Sequence, residues 1–103
     1  RTAREGLAVF LLYLRHWRRL TDNLPDDSDP RLADIEIPMN REDIADFLGL
    51  KKETVSRSFK ELETDRLILR SGSHHVSVLD LAALRELAGI RDFASPRRLA
   101  QSM

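Results

Sequence analysis

The segment NREDIADFLGLKKETVSRSFKELETDR, residues 40–66, decides the fold. Asn40 stands where a helix cap belongs: its side chain can accept the backbone amide of Asp43, whose carboxylate can reach back in the manner of a capping box. The helix so begun runs to Leu48 and is expected to bury Ile44, Phe47 and Leu48, which recur at three- and four-residue steps. Gly49 follows where the chain must turn sharply, and a second helical pattern opens by Lys52 with Val55, Phe59, Leu62 and Arg66 in register. About three residues part the two helices, the spacing of a helix-turn-helix.

On the second helix, steps of about 100° per residue put Phe59, Leu62 and Arg66 within roughly 40° of Val55, so that side packs inward. Glu53, Lys60, Ser56 and Arg57 fall near roughly 160°, 140°, 100° and 200°, which leaves four polar side chains on the outward face. Such a face suits a DNA major groove. Arg57 can donate two parallel hydrogen bonds to guanine, Glu53 can accept one from the amino group of cytosine, and Ser56 can bond several bases or touch a thymine methyl. Arg41, Lys51, Lys52 and Lys60 can neutralise phosphates. Asn40 and Thr54, at the starts of the two helices, join them as candidate backbone contacts with the helix amides. Ser58, near roughly 300°, borders the core instead.

Working outward, Leu7, Phe10, Leu11, Leu14 and Trp17 line one side of an amphipathic helix over residues 2–20, with Arg15, Arg18 and Arg19 crowding its last turns. Residues 21–34 carry two prolines and five aspartates against the lone Arg31 and read as a solvated loop. A short extended piece is expected over 35–39. Beyond the second helix, residues 67–70 and 75–79 favour strands joined by Ser71, Gly72, Ser73 and His74, a hairpin of the kind called a wing. Asp80 then caps a last helix carrying Leu81, Leu84, Leu87 and Ala88, which Gly89 ends. The expected organisation is a lead-in helix over 1–20, a winged helix-turn-helix, mainly α with a small β wing, over 21–89, and a partly disordered tail over 90–103. Because the chain opens at Arg1 directly into helical periodicity, further sequence is expected upstream.

Composition narrows the function. The chain's formal net charge is zero, so DNA affinity must come from local charge placement rather than a basic coat. Residues 38–66 hold six basic and seven acidic side chains, which keeps open an alternative: a winged helix that docks protein without reading bases. There is no cysteine, so disulfides and thiolate metal sites are excluded within this piece. Adjacent His74 and His75 point to opposite faces of a strand and do not make a metal site. No nucleophile, base and orienter occur in a plausible order, no glycine loop cradles phosphate, and no cofactor is expected. No apolar run is long enough to cross a membrane, and a cytoplasmic protein is expected.

The stretch from Ile37 to Leu50, followed by Glu53-Thr-Val-Ser-Arg57, resembles the helix-turn-helix of the Crp/Fnr regulators. The order Glu, two residues, Ser, Arg is similar to that of the Fnr and FixK branches. That resemblance implies recognition of an inverted repeat of the TTGA-TCAA type, with Glu53, Ser56 and Arg57 as base readers and a homodimer held by a helix further upstream. It also implies that Asp26, Asp27 and Asp29 lie where members of the family can touch RNA polymerase. Two positions depart from the pattern. Lys51 replaces the threonine or serine that commonly caps the second helix, at a cost of about 1 kcal/mol. Arg66 sits where glycine often closes that helix, with roughly 1 kcal/mol of strain if its backbone is left-handed.

Overall fold

The computed structural model describes residues 2–89, and the expected tail, residues 90–103, lies outside the described residues. Helix α1, Ala3–Thr21, begins with a complete capping box: Thr2 Oγ1 accepts from the Glu5 amide and Glu5 Oε1 accepts from the Thr2 amide at 2.6 Å. It buries Leu7, Ala8, Phe10, Leu11, Leu12 and Arg15. Trp17, expected on that face, is instead 50% exposed. The buried arc is centred near Leu11, and Trp17 lies roughly 120° round the helix from that centre.

The segment after α1 is more than a solvated loop. Leu24 and Leu32 fold inward, Leu32 completely, and Pro30–Ala33 form a short 3-10 helix whose first amides are capped by Asp29. Strand β1, Asp34–Glu36, follows and is shorter than expected. Ile37 donates one further bond to the His74 carbonyl at 2.7 Å, and Pro38, with no N–H, ends the ladder.

Helix α2, Arg41–Leu48, starts on Asn40, whose Oδ1 accepts from the Asp43 amide at 2.8 Å. Ile44 and Ala45 are its buried residues, whereas Phe47 is 65% exposed and Leu48 only half-buried, against expectation. A helix of two turns has room for a narrow buried arc, and Phe47 sits roughly 110° from its centre. Its ring rests against that of Phe10, with centroids 5.7 Å apart. Gly49 closes α2 at φ +69°, a left-handed backbone that lets the Leu50 amide reach back to the Ala45 carbonyl.

Helix α3, Lys52–Thr64, buries Val55, Ser58, Phe59 and Leu62. Ser58 is tolerated inside because its hydroxyl donates to the Thr54 carbonyl at 2.8 Å. Arg66, expected in register with this buried row, lies past the end of the helix, exposed, at φ +60°. There its backbone turns so that the Leu67 amide meets the Leu62 carbonyl. Glycine would relieve the left-handed strain but free the unfolded chain, so Arg66→Gly should raise stability by about 0.5 kcal/mol net, seen as a higher urea midpoint at unchanged slope.

Strands β2, Ile68–Ser71, and β3, His75–Val78, form the wing, and β1 pairs with the far side of β3, giving an antiparallel sheet in the order β1-β3-β2. The register sets buried Ile35 opposite Val76 and Ile68 opposite Val78. Helix α4, Leu81–Ala88, capped by Asp80 and ended by Gly89 as expected, packs on α1. One core joins these layers, with Leu7, Leu11, Ile35, Ile44, Phe59, Leu62, Ile68 and Leu84 all essentially sealed from solvent. Each such side chain contributes about 1.5–3 kcal/mol by burial, which fixes the face that α3 turns outward.

Candidate nucleic-acid interface

The inward anchoring of α3 by Val55, Phe59 and Leu62 leaves Glu53, Arg57 and Lys60 exposed and Thr54 and Ser56 half-buried. Among the described residues, the side chains of Glu53, Ser56 and Arg57 make no hydrogen bond or ion pair, so their polar groups are available to a ligand. The three base-reading candidates and Lys60 share one open face, as the helical arithmetic requires.

The surrounding cations differ in their commitments. Lys51 takes the N-cap position of α3 and makes no side-chain cap bond, which leaves helix amides open at that end. Lys51→Ser should therefore stabilise the domain by about 1 kcal/mol, read from its denaturation midpoint. If Lys51 meets a phosphate, the same change weakens DNA binding. Lys52 pairs with Glu42 at 3.6 Å, both ends exposed, an attraction worth less than about 1 kcal/mol and easily exchanged for a phosphate. Arg41 is more tightly engaged. Its guanidinium lies 4.0 Å from the centre of the Phe59 ring and donates to the Ser73 carbonyl, so it braces α2 and α3 against the wing. Burial, and then the nearby Arg70, push its pKa below the ordinary arginine range. Asn40 is committed to its cap through Oδ1.

Two elements of the site arise only in three dimensions. Arg4 of α1 forms an ion pair with Asp65, just past the end of α3, and lines with Arg57, Lys60, Glu61 and Thr64 a cleft of about 360 Å³. The partners are 61 residues apart, so nothing local in the sequence joins them. Glu63 holds Arg70 at 2.6 Å and also accepts from the Arg70 amide, tying the base of the wing to α3. At the wing tip, His74 Nδ1 lies 3.0 Å from the Ile37 carbonyl oxygen. Among the described residues no group of three or more histidine, cysteine or carboxylate side chains is placed to hold a metal.

The acidic loop is largely spoken for. Asp27 accepts from Arg15 at 2.9 Å and from Arg85, with Arg19 4.0 Å away. Burial raises its pKa, but the hydrogen bonds and charges of Arg15 and Arg85 outweigh that and leave it lowered. Arg31 holds Asp29 down to about 2 through its side chain and its amide. Asp26 caps the amide and hydroxyl of Ser28, which lower its pKa.

Taken together, a helix-turn-helix pair with an open polar face, a three-stranded sheet that carries the wing and a helix sealing the back define the winged helix class. The model of the Crp-like helix-turn-helix domain matches residues 6–87. The chain is 40% identical over 89 residues to the transcriptional activator protein FnrL of Cereibacter sphaeroides, covering 86% of this chain and 35% of that protein. It is 42% identical over 90 residues to the nitrogen fixation regulation protein FixK of Bradyrhizobium diazoefficiens, covering 85% and 34%. The structure of FixK2 from Bradyrhizobium japonicum superposes with a TM-score of 0.66 at 31% identity, over 88% of this chain and 40% of that one. This chain belongs to the Crp/Fnr family of transcription regulators and carries its helix-turn-helix domain. These relatives are regulators rather than enzymes, and the chain spans about a third of the length of the curated relatives it matches. Among the described residues no helix is long and apolar enough to cross a membrane.

Proposed function

We propose that this domain binds duplex DNA through α3 and serves a cytoplasmic transcription regulator that acts as a homodimer on an inverted repeat of the TTGA-TCAA type. The observation that carries this reading is the outward face of α3, where Glu53, Ser56 and Arg57 stand without internal partners on a helix anchored by Val55, Phe59 and Leu62. In this reading Arg57 and Glu53 read base edges, Ser56 supports them, and Asn40, Arg41, Lys51, Lys52, Thr54 and Lys60 set the register on the backbone. Two copies then place their helices about one turn of DNA apart. Contact with RNA polymerase through the loop falls to Asp26, because Asp27 and Asp29 are engaged by arginines.

Titration of the domain against a labelled TTGA-TCAA duplex and a scrambled one, at two salt concentrations, tests the reading. The expected result is tighter binding of the specific duplex and a steep loss of affinity with salt on both. Equal affinity for the two duplexes at both salt concentrations overturns it.

A further inference from the structure

We infer that Glu42 and Asp65 restrain DNA binding: each holds a cation at one end of α3, Lys52 and Arg4, and so keeps down the phosphate affinity of the reading face. The inference rests on α3 being the DNA-reading helix, and it concerns two acids that take no part in base reading.

The two ion pairs bracket the reading triplet. Glu42, in the first turn of α2, meets Lys52, the first residue of α3, at 3.6 Å. Asp65, just past Thr64 at the other end of α3, meets Arg4 of α1. Glu53, Ser56 and Arg57 lie between the two pairs along the chain. Arg4 and Asp65 share a cleft with Arg57 and Lys60, and Glu42 and Lys52 share another with Asn40 and Arg41, so both pairs border candidate DNA contacts. Glu42, Lys52 and Asp65 are exposed and Arg4 is half-buried, so a phosphate that reaches these cations also meets the acids.

Electrostatics fixes the direction of the effect. A phosphate approaching Lys52 must draw it away from Glu42, and the carboxylate stays behind on α2, where it repels the same phosphate. Asp65 acts alike on Arg4. Exposed pairs are weak, so each acid lowers affinity by about two- to fivefold rather than abolishing it. The same arrangement accounts for the balance of six bases and seven acids over residues 38–66. Phosphate attraction supplies essentially all non-specific binding, and here it is held low. Occupancy of a site then depends on the base contacts of α3 and on a second copy, which keeps the domain off the excess of other sequence in a genome.

The test compares the unmodified chain with Glu42→Gln, Asp65→Asn and the double variant. Affinities for the TTGA-TCAA duplex and a scrambled one are measured by fluorescence anisotropy over a range of salt. The double variant is expected to bind both duplexes about 4- to 25-fold more tightly, with a salt dependence of log affinity steeper by about one to two. Lys52→Gln added to Glu42→Gln, and Arg4→Gln added to Asp65→Asn, should cancel the gain of each single variant, which a merely structural effect of the acid would not do. Asp22→Asn controls for net charge. It also frees an arginine, Arg18 at 3.3 Å, but stands about 27 Å along α1 from Arg4, beyond a Debye length of about 10 Å, and should change neither affinity. Unchanged or weaker binding by the double variant with a thermal melt like that of the unmodified chain, or an equal gain from Asp22→Asn, overturns the inference alone if the unmodified chain still prefers the specific duplex. An unmodified chain without that preference overturns the reading by α3 and this inference with it.

Discussion

Arg57→Ala is expected to weaken binding to the TTGA-TCAA duplex by about 1–3 kcal/mol, or roughly 5- to 150-fold, while affinity for a scrambled duplex changes far less. The size follows from the fork of parallel donors that arginine offers a guanine and alanine cannot replace. The side chain is exposed and, among the described residues, without an internal partner, so its loss should leave stability within about 0.5 kcal/mol of the parent. Anisotropy titrations on both duplexes and a thermal melt separate the outcomes. An equal loss on both duplexes makes Arg57 a phosphate contact, and no loss on either favours the protein-docking alternative. Arg4 and Lys60 flank Arg57 in the same cleft, so a uniform loss would be the natural signature of that cationic cluster acting on the backbone.

The elements that position this site were readable because their signals are local. Asn40, Gly49 and Asp80 are cap residues whose chemistry acts within a few positions, and the buried row Val55, Phe59 and Leu62 is long enough to orient α3 unambiguously. Periodicity finds an apolar stripe but not its width, which is set by whatever packs on it. Phe47 and Trp17 belong to the sequence stripe and lie outside the buried arc, while Arg15 lies within it because Asp27 comes to meet its charge. The capping box of α1 was not among the expectations, although the T-x-x-E spacing of Thr2 and Glu5 carries its signal. The pairs Arg4 with Asp65, Arg41 with Phe59, and His74 with Ile37 were not legible, because each joins elements that only the tertiary fold brings together. The wing thus emerged as a hairpin from its residue types, but its clamp to the start of α2 did not.

Asp27→Ala should be the most damaging loss of an aspartate in the loop, costing about 2 kcal/mol, whereas Asp26→Ala should leave stability close to that of the parent. Arg15 is only 6% exposed, and Asp27 supplies its countercharge while also receiving Arg85 from α4. Removing the carboxylate strands a cation away from water and releases the tie between α1 and α4. Breaking a fully buried pair typically costs 3–5 kcal/mol, roughly, but Asp27 itself is partly solvated. Its backbone oxygen, a second acceptor for Arg15, also survives the substitution, and both facts reduce the loss. The pH dependence has a definite sign. The folded pKa of Asp27 is lowered, so its contribution is complete above the ordinary carboxylate value of about 3.9 and fades as pH falls through the folded value. Urea denaturation of the parent and Asp27→Ala at pH 7 should show the full difference, and the gap should narrow steadily in acid below about pH 4. A gap of the same size at every pH would mean that Asp27 acts by shape rather than charge. Equal stability of the Asp26 and Asp27 variants would remove the loop from the forces that hold α4 against α1.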